Sequence, residues 1–368
     1  MTYVPGELSV DENGLLLSTG LTSRIIARQG RPVQYLNGEE SRTHFHTRPD
    51  GAAVFENPAG GWIYVSNSED SPGGVGAITF DSRGEVINYE MIATGTIDNC
   101  SGGKTYWNTW VTCEEHESGQ IFETDPFGKK AANKTLIGGI GGRYESFAFD
   151  ARDKMSPTFY VTIDDSYGPL VKFTPSPEIV MSAIENGDYS KILTQDPYGS
   201  SKREFLLLDP DSENPKKGTF TWTKNLQEAA INANRYMPHC EGLDVRNGLV
   251  YFTCKQEKML FILHLDTMRY ESSSTMSGLF DGEPDQVARI LGNDGGVLYF
   301  CEDNGYGSDL HGRDSKGNFY TILQNRVYDS ETTGLAFSPD NEHMYLSLQE
   351  LGKSDLSLIV ECYVILGN

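Results

Sequence analysis

Short runs of bulky apolar and β-branched residues, each closed by Gly, Asn or Asp, recur along the chain, as β-strands and their turns do. Six of these runs share one order: an aromatic, a bulky apolar residue, a small hydroxyl or thiol residue, then polar or acidic residues. They read Tyr64-Val65-Ser66, Trp110-Val111-Thr112, Tyr160-Val161-Thr162, Tyr251-Phe252-Thr253, Tyr299-Phe300-Cys301 and Tyr345-Leu346-Ser347. The aromatics stand 46, 50, 91, 48 and 46 residues apart. Four of the five gaps match the ~40–50 residues of a four-stranded propeller repeat. The long gap exceeds one period by about 40 residues, as an insertion after the third repeat would.

Turns such as Pro339-Asp340-Asn341 and Asp294-Gly295-Gly296 precede these runs, and a second apolar run lies just upstream of each turn. Ala52-Ala53-Val54-Phe55, Ser146-Phe147-Ala148-Phe149, Gly242-Leu243-Asp244-Val245 and Gly334-Leu335-Ala336-Phe337 are examples. Each pair reads as a hairpin of one blade. The expected fold is therefore all-β: a six-bladed β-propeller forming a single domain over residues 1–368, with one partly helical insertion at about 176–236. That insertion is expected to hold one helix, Asn225 to Asn234, beside the loop from Asp209 to Gly218.

Composition narrows the function. With 30 Lys plus Arg against 52 Asp plus Glu, the formal charge is −22. Such a surface lacks the cations that neutralise nucleic-acid phosphates, and it repels an anionic membrane. Apolar runs fall short of the ~20 residues that cross a bilayer. The start, Met1-Thr-Tyr-Val-Pro-Gly, lacks the charged and apolar regions of a signal peptide. Six scattered cysteines without a C-x-x-C fit neither a disulfide scaffold nor a zinc finger.

Candidate chemistry follows from the hairpins. The start of a first strand and the end of a second lie at one edge, which repeated radially becomes one mouth of a central channel. Asp50, Cys100, Glu145, Glu241, Asp285 and Glu331 open the first strands. Glu69, Glu114, Glu115, Asp164, Asp165, Glu302 and Asp303 close the second. Two sets of acids are thus expected on one rim with a lone cysteine. Crowded carboxylates repel unless cations hold them. Oxygen donors suit hard cations such as calcium, and a thiolate calls for a transition metal. The plainer alternative is a set of solvated turn acids and an inert thiol.

Asn99-Cys100-Ser101-Gly102-Gly103-Lys104-Thr105, followed by Trp107, Thr109-Trp110-Val111-Thr112 and Cys113-Glu114-Glu115, resembles the signature of PhoX-type alkaline phosphatases. Asp50-Gly51-Ala52-Ala53-Val54-Phe55, Gly142-Arg143-Tyr144-Glu145, Asp164-Asp165, Glu241-Gly242-Leu243, Cys301-Glu302-Asp303-Asn304-Gly305 and Glu331-Thr332-Thr333-Gly334 are similar to the same family in the same order. The resemblance implies a propeller whose channel mouth holds ferric iron (Fe3+) and calcium (Ca2+) around a bridging oxide, and which releases phosphate from esters. It makes Cys100 the thiolate ligand of iron, and Glu145, Asp164, Glu241 and Glu331 carboxylate ligands. Glu115 is the preferred calcium ligand of the Glu114-Glu115 pair, and Glu69, Glu114 and Asp303 stand beside them as further metal candidates. Which metal each carboxylate takes stays open. Hydrolysis would be metal-assisted, with no serine nucleophile.

Two positions depart from the family. Pro238-His239-Cys240-Glu241 offers His239 where the family usually has a phosphate-gripping arginine. An imidazole with a pKa near ~6.5 replaces a permanently charged fork, so phosphate affinity should fall at alkaline pH. A rim histidine hydrogen-bonded to a carboxylate is the equal alternative. Ser68-Glu69 stands where the family tends to have His-Glu. Lys104 and Lys255 lie near the inferred rim as candidate phosphate contacts, against the default of solvated lysines.

Other features carry less. His44-Phe45-His46 reads as a surface strand, since no third metal ligand stands at useful spacing. Asn133-Lys134-Thr135 is a glycosylation sequon, and the glycine run 138–142 is too loose for a dinucleotide fingerprint. Cys113, Cys240, Cys254, Cys301 and Cys362 read as buried small hydrophobes. The expectation is a monomeric phosphoesterase acting on small-molecule phosphate esters, extracellular or periplasmic by family resemblance. A calcium-dependent lactonase or esterase, which needs no thiolate, is the rival enzyme. A non-catalytic binding propeller stabilised by calcium is the rival of another class.

Overall fold

A computed structural model describes residues 7–290, 296–304, 307–350 and 357–364. The chain divides into two units: Met1–Asn99, Pro126–Lys130 and Met276–Asn368 form the first, Cys100–Asp125 and Ala131–Thr275 the second. Both are built from antiparallel meanders, in which each strand hydrogen-bonds to the next in sequence.

In the first unit, Pro49–Glu56, Trp62–Ser68, Gly73–Phe80 and Val86–Thr96 form one four-stranded sheet. Glu283–Ala288, Leu298–Asp303, Leu310–Arg313 and Phe319–Gln324 form another, extended by Leu16–Ser18 and Leu8–Val10. In a third, Ser330–Phe337, His343–Glu350 and Leu358–Val364 gain the N-terminal strand Leu21–Arg28 as their fourth member. Leu358–Val364 is thereby paired on both sides, and Leu21–Arg28 takes the outer place in this sheet.

In the second unit, Asn99–Lys104 pairs with Trp110–His116, followed by Ile121–Thr124 and Asn133–Lys134. Gly142–Asp150, Thr158–Ile163, Val171–Thr174 and Lys202–Pro210 make the next meander. Cys240–Arg246, Leu249–Cys254, Met259–His264 and Arg269–Ser274 make the last, and Lys217–Thr223 bridges these two sheets. All six aromatic-led runs lie in second strands, as the repeat predicts. Tyr64, Tyr160, Tyr251, Tyr299 and Tyr345 each have a neighbour on both sides of the ladder. Covered on both faces, such strands read as apolar runs rather than as alternation; Trp62–Ser68 is buried throughout.

Residues 176–236 differ from the expectation of one helix and a loop. Two helices occur, Pro177–Asn186 and Leu226–Tyr236. The second is capped by the Asn225 side chain, which accepts from the Glu228 amide at 3.2 Å. The first was not expected, yet its end signals are ordinary: Pro in the first turn, Glu178 near the positive helix end, and Gly187 at φ 67 to stop it. Two strands also lie in this stretch. Lys202–Pro210 completes the meander of Val171–Thr174, with Val171 opposite Phe205, and it hairpins through the 211–216 turn into Lys217–Thr223.

His44 ends the strand Glu40–His44 in solvent, but His46 is buried, contrary to a surface strand. Its ring hydrogen-bonds the Tyr89 hydroxyl at 3.1 Å and the Ser66 hydroxyl at 3.2 Å. Gly76 makes the space, since a Cβ there would lie 2.5 Å from Nδ1. Burial lowers the His46 pKa to about 3, so the ring is neutral. Asn341 at φ 60 builds the expected Pro339-Asp340-Asn341 turn, while Asp294-Gly295 and Gly305 lie outside the described residues.

Each unit has two apolar clusters. Phe147, Phe159 and Phe173 centre one in the second unit, and Phe252, Leu263 and Phe220 the other. Tyr64, Phe80 and Tyr345 centre one in the first, and Leu346, Val360 and Leu323 the other. The all-β meanders fit a β-propeller architecture. Among the described residues no helix is long and apolar enough to cross a membrane.

Candidate metal centre

The acids are set by a repeated irregularity. In four hairpins the first strand carries one extra residue: between Pro49 and Ala52, Tyr144 and Phe147, Cys240 and Leu243, and Pro284 and Val287. The residues passed over are Asp50-Gly51, Glu145-Ser146, Glu241-Gly242 and Asp285-Gln286. A bulge of this kind breaks the alternation of side chains and re-aims one of them. In each of these four the carboxylate comes first in the bulge. Glu331 differs: it pairs in register with Gln349, and its strand bulges after Thr333.

In the second unit, the Cys100 thiol lies 3.3 Å from Oε1 of the fully buried Glu145. Gly102 and Gly103 let this strand in. A Cβ on Gly102 would stand 2.0 Å from the Val111 carbonyl oxygen, and one on Gly103 1.9 Å from that of Phe147. Thr162 ties two bulges together: its hydroxyl donates to the Glu241 carbonyl at 2.5 Å and accepts from the Ser146 amide at 2.9 Å. Glu241 is buried, with Lys255 Nζ 3.6 Å from its Oε1. Glu115 faces Arg143 at 3.6 Å. Glu114 turns the other way and accepts from the Gln120 amide at 2.7 Å, which holds the following loop. Asp164 receives His239 Nδ1 at 2.6 Å, and the second ring nitrogen lies 3.2 Å from the Ser166 hydroxyl. Lys104 is half-buried at the end of the cysteine strand.

In the first unit, Asp50, Glu69 and Glu331 bring one ligand oxygen each within 4.8 Å of the others. Asp50 is buried and accepts from Gln286 Nε2 at 2.5 Å, Gln349 Nε2 at 2.7 Å and the Thr333 hydroxyl at 2.7 Å. Arg48 Nη2 lies 2.6 Å from Glu69. Burial pushes the Asp50 carboxyl well above the usual range, and the charges of Glu69 and Asp285 push it further. Glu331 is likewise raised, by burial first and then by Asp285, Asp303, Asp50 and Glu69. Three buried or half-buried oxygens whose charges oppose one another are the donor set of a hard cation. The thiol against a carboxylate in the second unit suits a transition metal. Both donor sets therefore fit the iron and calcium that the resemblance implies.

Glu302 belongs to a separate buried group with Asp309 and His311, whose ligand atoms lie within 4.8 Å of one another. It is buried with His311 3.4 Å away and accepts from the Gly282 and Asp309 amides at 2.6 and 2.8 Å. Sequence reasoning overlooked Gln286 and Gln349, uncharged partners whose identity no repeat announces, and it gave no bonding role to Thr162, the hydroxyl residue of the Tyr160-Val161-Thr162 run. It also left Arg48 and Arg143 unassigned, although each is a guanidinium beside a candidate ligand.

A family model described as Alkaline phosphatase PhoX matches residues 58–182, the stretch with the cysteine signature, Glu114-Glu115, Glu145 and Asp164. Among solved structures, PhoX of Pseudomonas fluorescens in complex with vanadate, a transition-state analogue, aligns with a TM-score of 0.70 at 14% identity, covering 98% of this chain and 97% of that one. A gluconolactonase of Xanthomonas campestris aligns at 0.51 with 13% identity, over 99% and 96%. The calcium-binding protein regucalcin of Agrobacterium tumefaciens aligns at 0.52 with 11% identity, over 87% and 90%. No curated protein matches the chain. These likenesses define the fold class, that of β-propeller proteins. The resemblance read from the cysteine motif holds as well: the chain is similar to the PhoX alkaline phosphatases.

Proposed function

We propose that this protein is a metal-dependent phosphatase that releases phosphate from small-molecule phosphate esters with ferric iron and calcium. The observation that carries the reading is the Cys100–Glu145 pair at 3.3 Å, inside the stretch that the PhoX model matches. A calcium-only lactonase has no use for a thiol in its ligand set. Six blades closed over residues 1–368 as one domain, with 176–236 as an insertion, an extracellular or periplasmic location and a monomeric state belong to the same proposal.

In this reading Cys100, Glu145, Glu241, Asp164 and Glu115 hold metal in the second unit, and Glu331, Glu69 and Asp303 do so in the first. Asp50 adds a carboxylate to the latter set, and Glu114 serves its loop instead. When bound, the metals supply Lewis acidity that neutralises phosphate oxygens and activates the attacking oxygen. The chain's own residues position and neutralise. Lys255 and Arg143 add positive charge beside Glu241 and Glu115. Asp164 holds Nδ1 of His239, so Nε2 is the atom that meets a phosphate oxygen once Ser166 lets go. Lys104 serves as a further phosphate contact.

The test is elemental analysis by plasma mass spectrometry with a visible spectrum, followed by a screen of phosphomonoesters and diesters beside lactones. Near-stoichiometric iron with calcium, and a thiolate-to-iron band lost in Cys100→Ser together with at least about a hundredfold of the phosphatase rate, is expected. Calcium without iron, after growth with iron supplied, would sink the reading in favour of a lactonase or a binding propeller.

A further inference from the structure

All six cysteines are free and buried, but two of them face each other. Cys240 and Cys254 are directly opposed in the hairpin of Cys240–Arg246 and Leu249–Cys254, with sulfurs 3.6 Å apart. The Lys255 amide donates to the His239 carbonyl at 2.9 Å, so 239 and 255 form a hydrogen-bonded pair. Cys240 and Cys254, one step inside, therefore occupy the narrow, non-hydrogen-bonded site. At such sites Cα atoms stand about 4.5 Å apart and side chains are closest. That separation lies within the ~4.4–6.8 Å that a disulfide spans. Turning the two side chains about their Cα–Cβ bonds closes the sulfurs from 3.6 Å to bonding distance.

We propose that Cys240 and Cys254 are a modification site, joined as a cross-strand disulfide when the protein meets a disulfide oxidant. The reaction is thiol–disulfide exchange with a small-molecule disulfide such as oxidised glutathione. One cysteine thiolate attacks that disulfide and expels one glutathione thiol. The second cysteine then attacks the mixed disulfide and expels the other. Two protons leave the cysteines and two electrons pass to glutathione. Because both sulfurs are fully buried, exchange occurs before the hairpin docks or while it opens. Cys240 lies between His239 and Glu241, and Cys254 precedes Lys255. The bond therefore clamps the two strand ends that carry these side chains, whatever reaction they serve.

The test is a peptide map of the full chain. Protein refolded from urea in a glutathione redox buffer, and protein isolated natively from an oxidising compartment, are unfolded in denaturant containing excess alkylating agent and then cut with trypsin. Tyr236–Arg246 linked to Asn247–Lys255, two hydrogens lighter than the sum and separated by reductant, is the expected major species. Cys100, Cys113, Cys301 and Cys362 should be alkylated in the same sample, and Cys254→Ala should free Cys240 for alkylation. Cys240 and Cys254 both alkylated, or each carrying its own glutathione, in both preparations would overturn the proposal.

Discussion

His239 Nδ1 lies 2.6 Å from Oδ1 of Asp164, and the same residue holds a left-handed backbone at φ 53. Its amide donates to the Asp165 carbonyl at 3.2 Å, so ring and backbone are both pinned to the end of the strand Thr158–Ile163 and the turn after it. A carboxylate partner at Nδ1 orients the imidazole and leaves Nε2, now beside the Ser166 hydroxyl, as the atom that turns outward.

His239→Arg would place a permanent cation where the ring now stands. At pH 9 the expected result is a KM for phosphate esters lower by about tenfold, the equivalent of ~1.4 kcal/mol, with kcat changed less. Steady-state kinetics on wild type and variant decide it. An unchanged KM would mean that this position does not face substrate.

Glu331→Gln should change stability in opposite directions with and without metal. Without cations, the raised Glu331 carboxyl means that its ionised form destabilises the fold, so stability falls as pH rises above the ordinary carboxylate range. Removing that charge should therefore raise the melting temperature in chelator at pH 8. In calcium the lost ligand should lower it, because a cation at 100 times its Kd stabilises the parent by about 2.7 kcal/mol. Thermal melts in the two buffers provide the comparison, and shifts of one sign in both would refute a cation at Glu331.

The contrast between Glu331 and Glu302 shows what was legible beforehand. Strand ends and their acids could be read from the 46–50-residue spacing, because each blade-like meander repeats one hydrophobic order. Which acid would be left short of donors could not. Glu302 is absorbed by His311 and two amides, and those partners come from 282, 309 and 311, outside any repeated motif. The bulges at Asp50, Glu145, Glu241 and Asp285 were equally hidden, since one extra residue leaves the apolar pattern of the strand intact. The helix Pro177–Asn186 is hidden because its apolar residues do not keep to one face: Ile179, Val180 and Ala183 are buried but Met181 and Ile184 are exposed.

Gly103→Ala tests why the cysteine motif carries two glycines. An added Cβ would stand 1.9 Å from the Phe147 carbonyl oxygen, a backbone atom that the meander holds in place. Relief requires the cysteine strand to part from its neighbour, at a cost of about 3 kcal/mol by analogy with overpacked cores. Urea denaturation should report that loss, together with weaker iron retention, since Cys100 moves with the strand. A change below about 0.5 kcal/mol would show that the strands separate freely.

His343 supplies a pH-dependent tether in the sheet that joins the two chain ends. Its Nδ1 lies 3.1 Å from the buried Glu361, whose other oxygen meets Arg24 on the N-terminal strand. Burial pulls the imidazole pKa down, but the close negative charge of Glu361, helped by Asp340, outweighs it and raises the value despite opposition from Arg24. A raised histidine pKa contributes stability that is complete below ~6.5 and is lost as pH climbs through the folded-state value. His343→Ala should therefore destabilise more at pH 5.5 than at pH 9, by about 1 kcal/mol, while Arg24 continues to hold Glu361 at both. Urea midpoints for wild type and variant at the two pH values measure the difference. Equal losses at both would show that the ring acts through packing against Trp62, 5.3 Å away, and not through its charge.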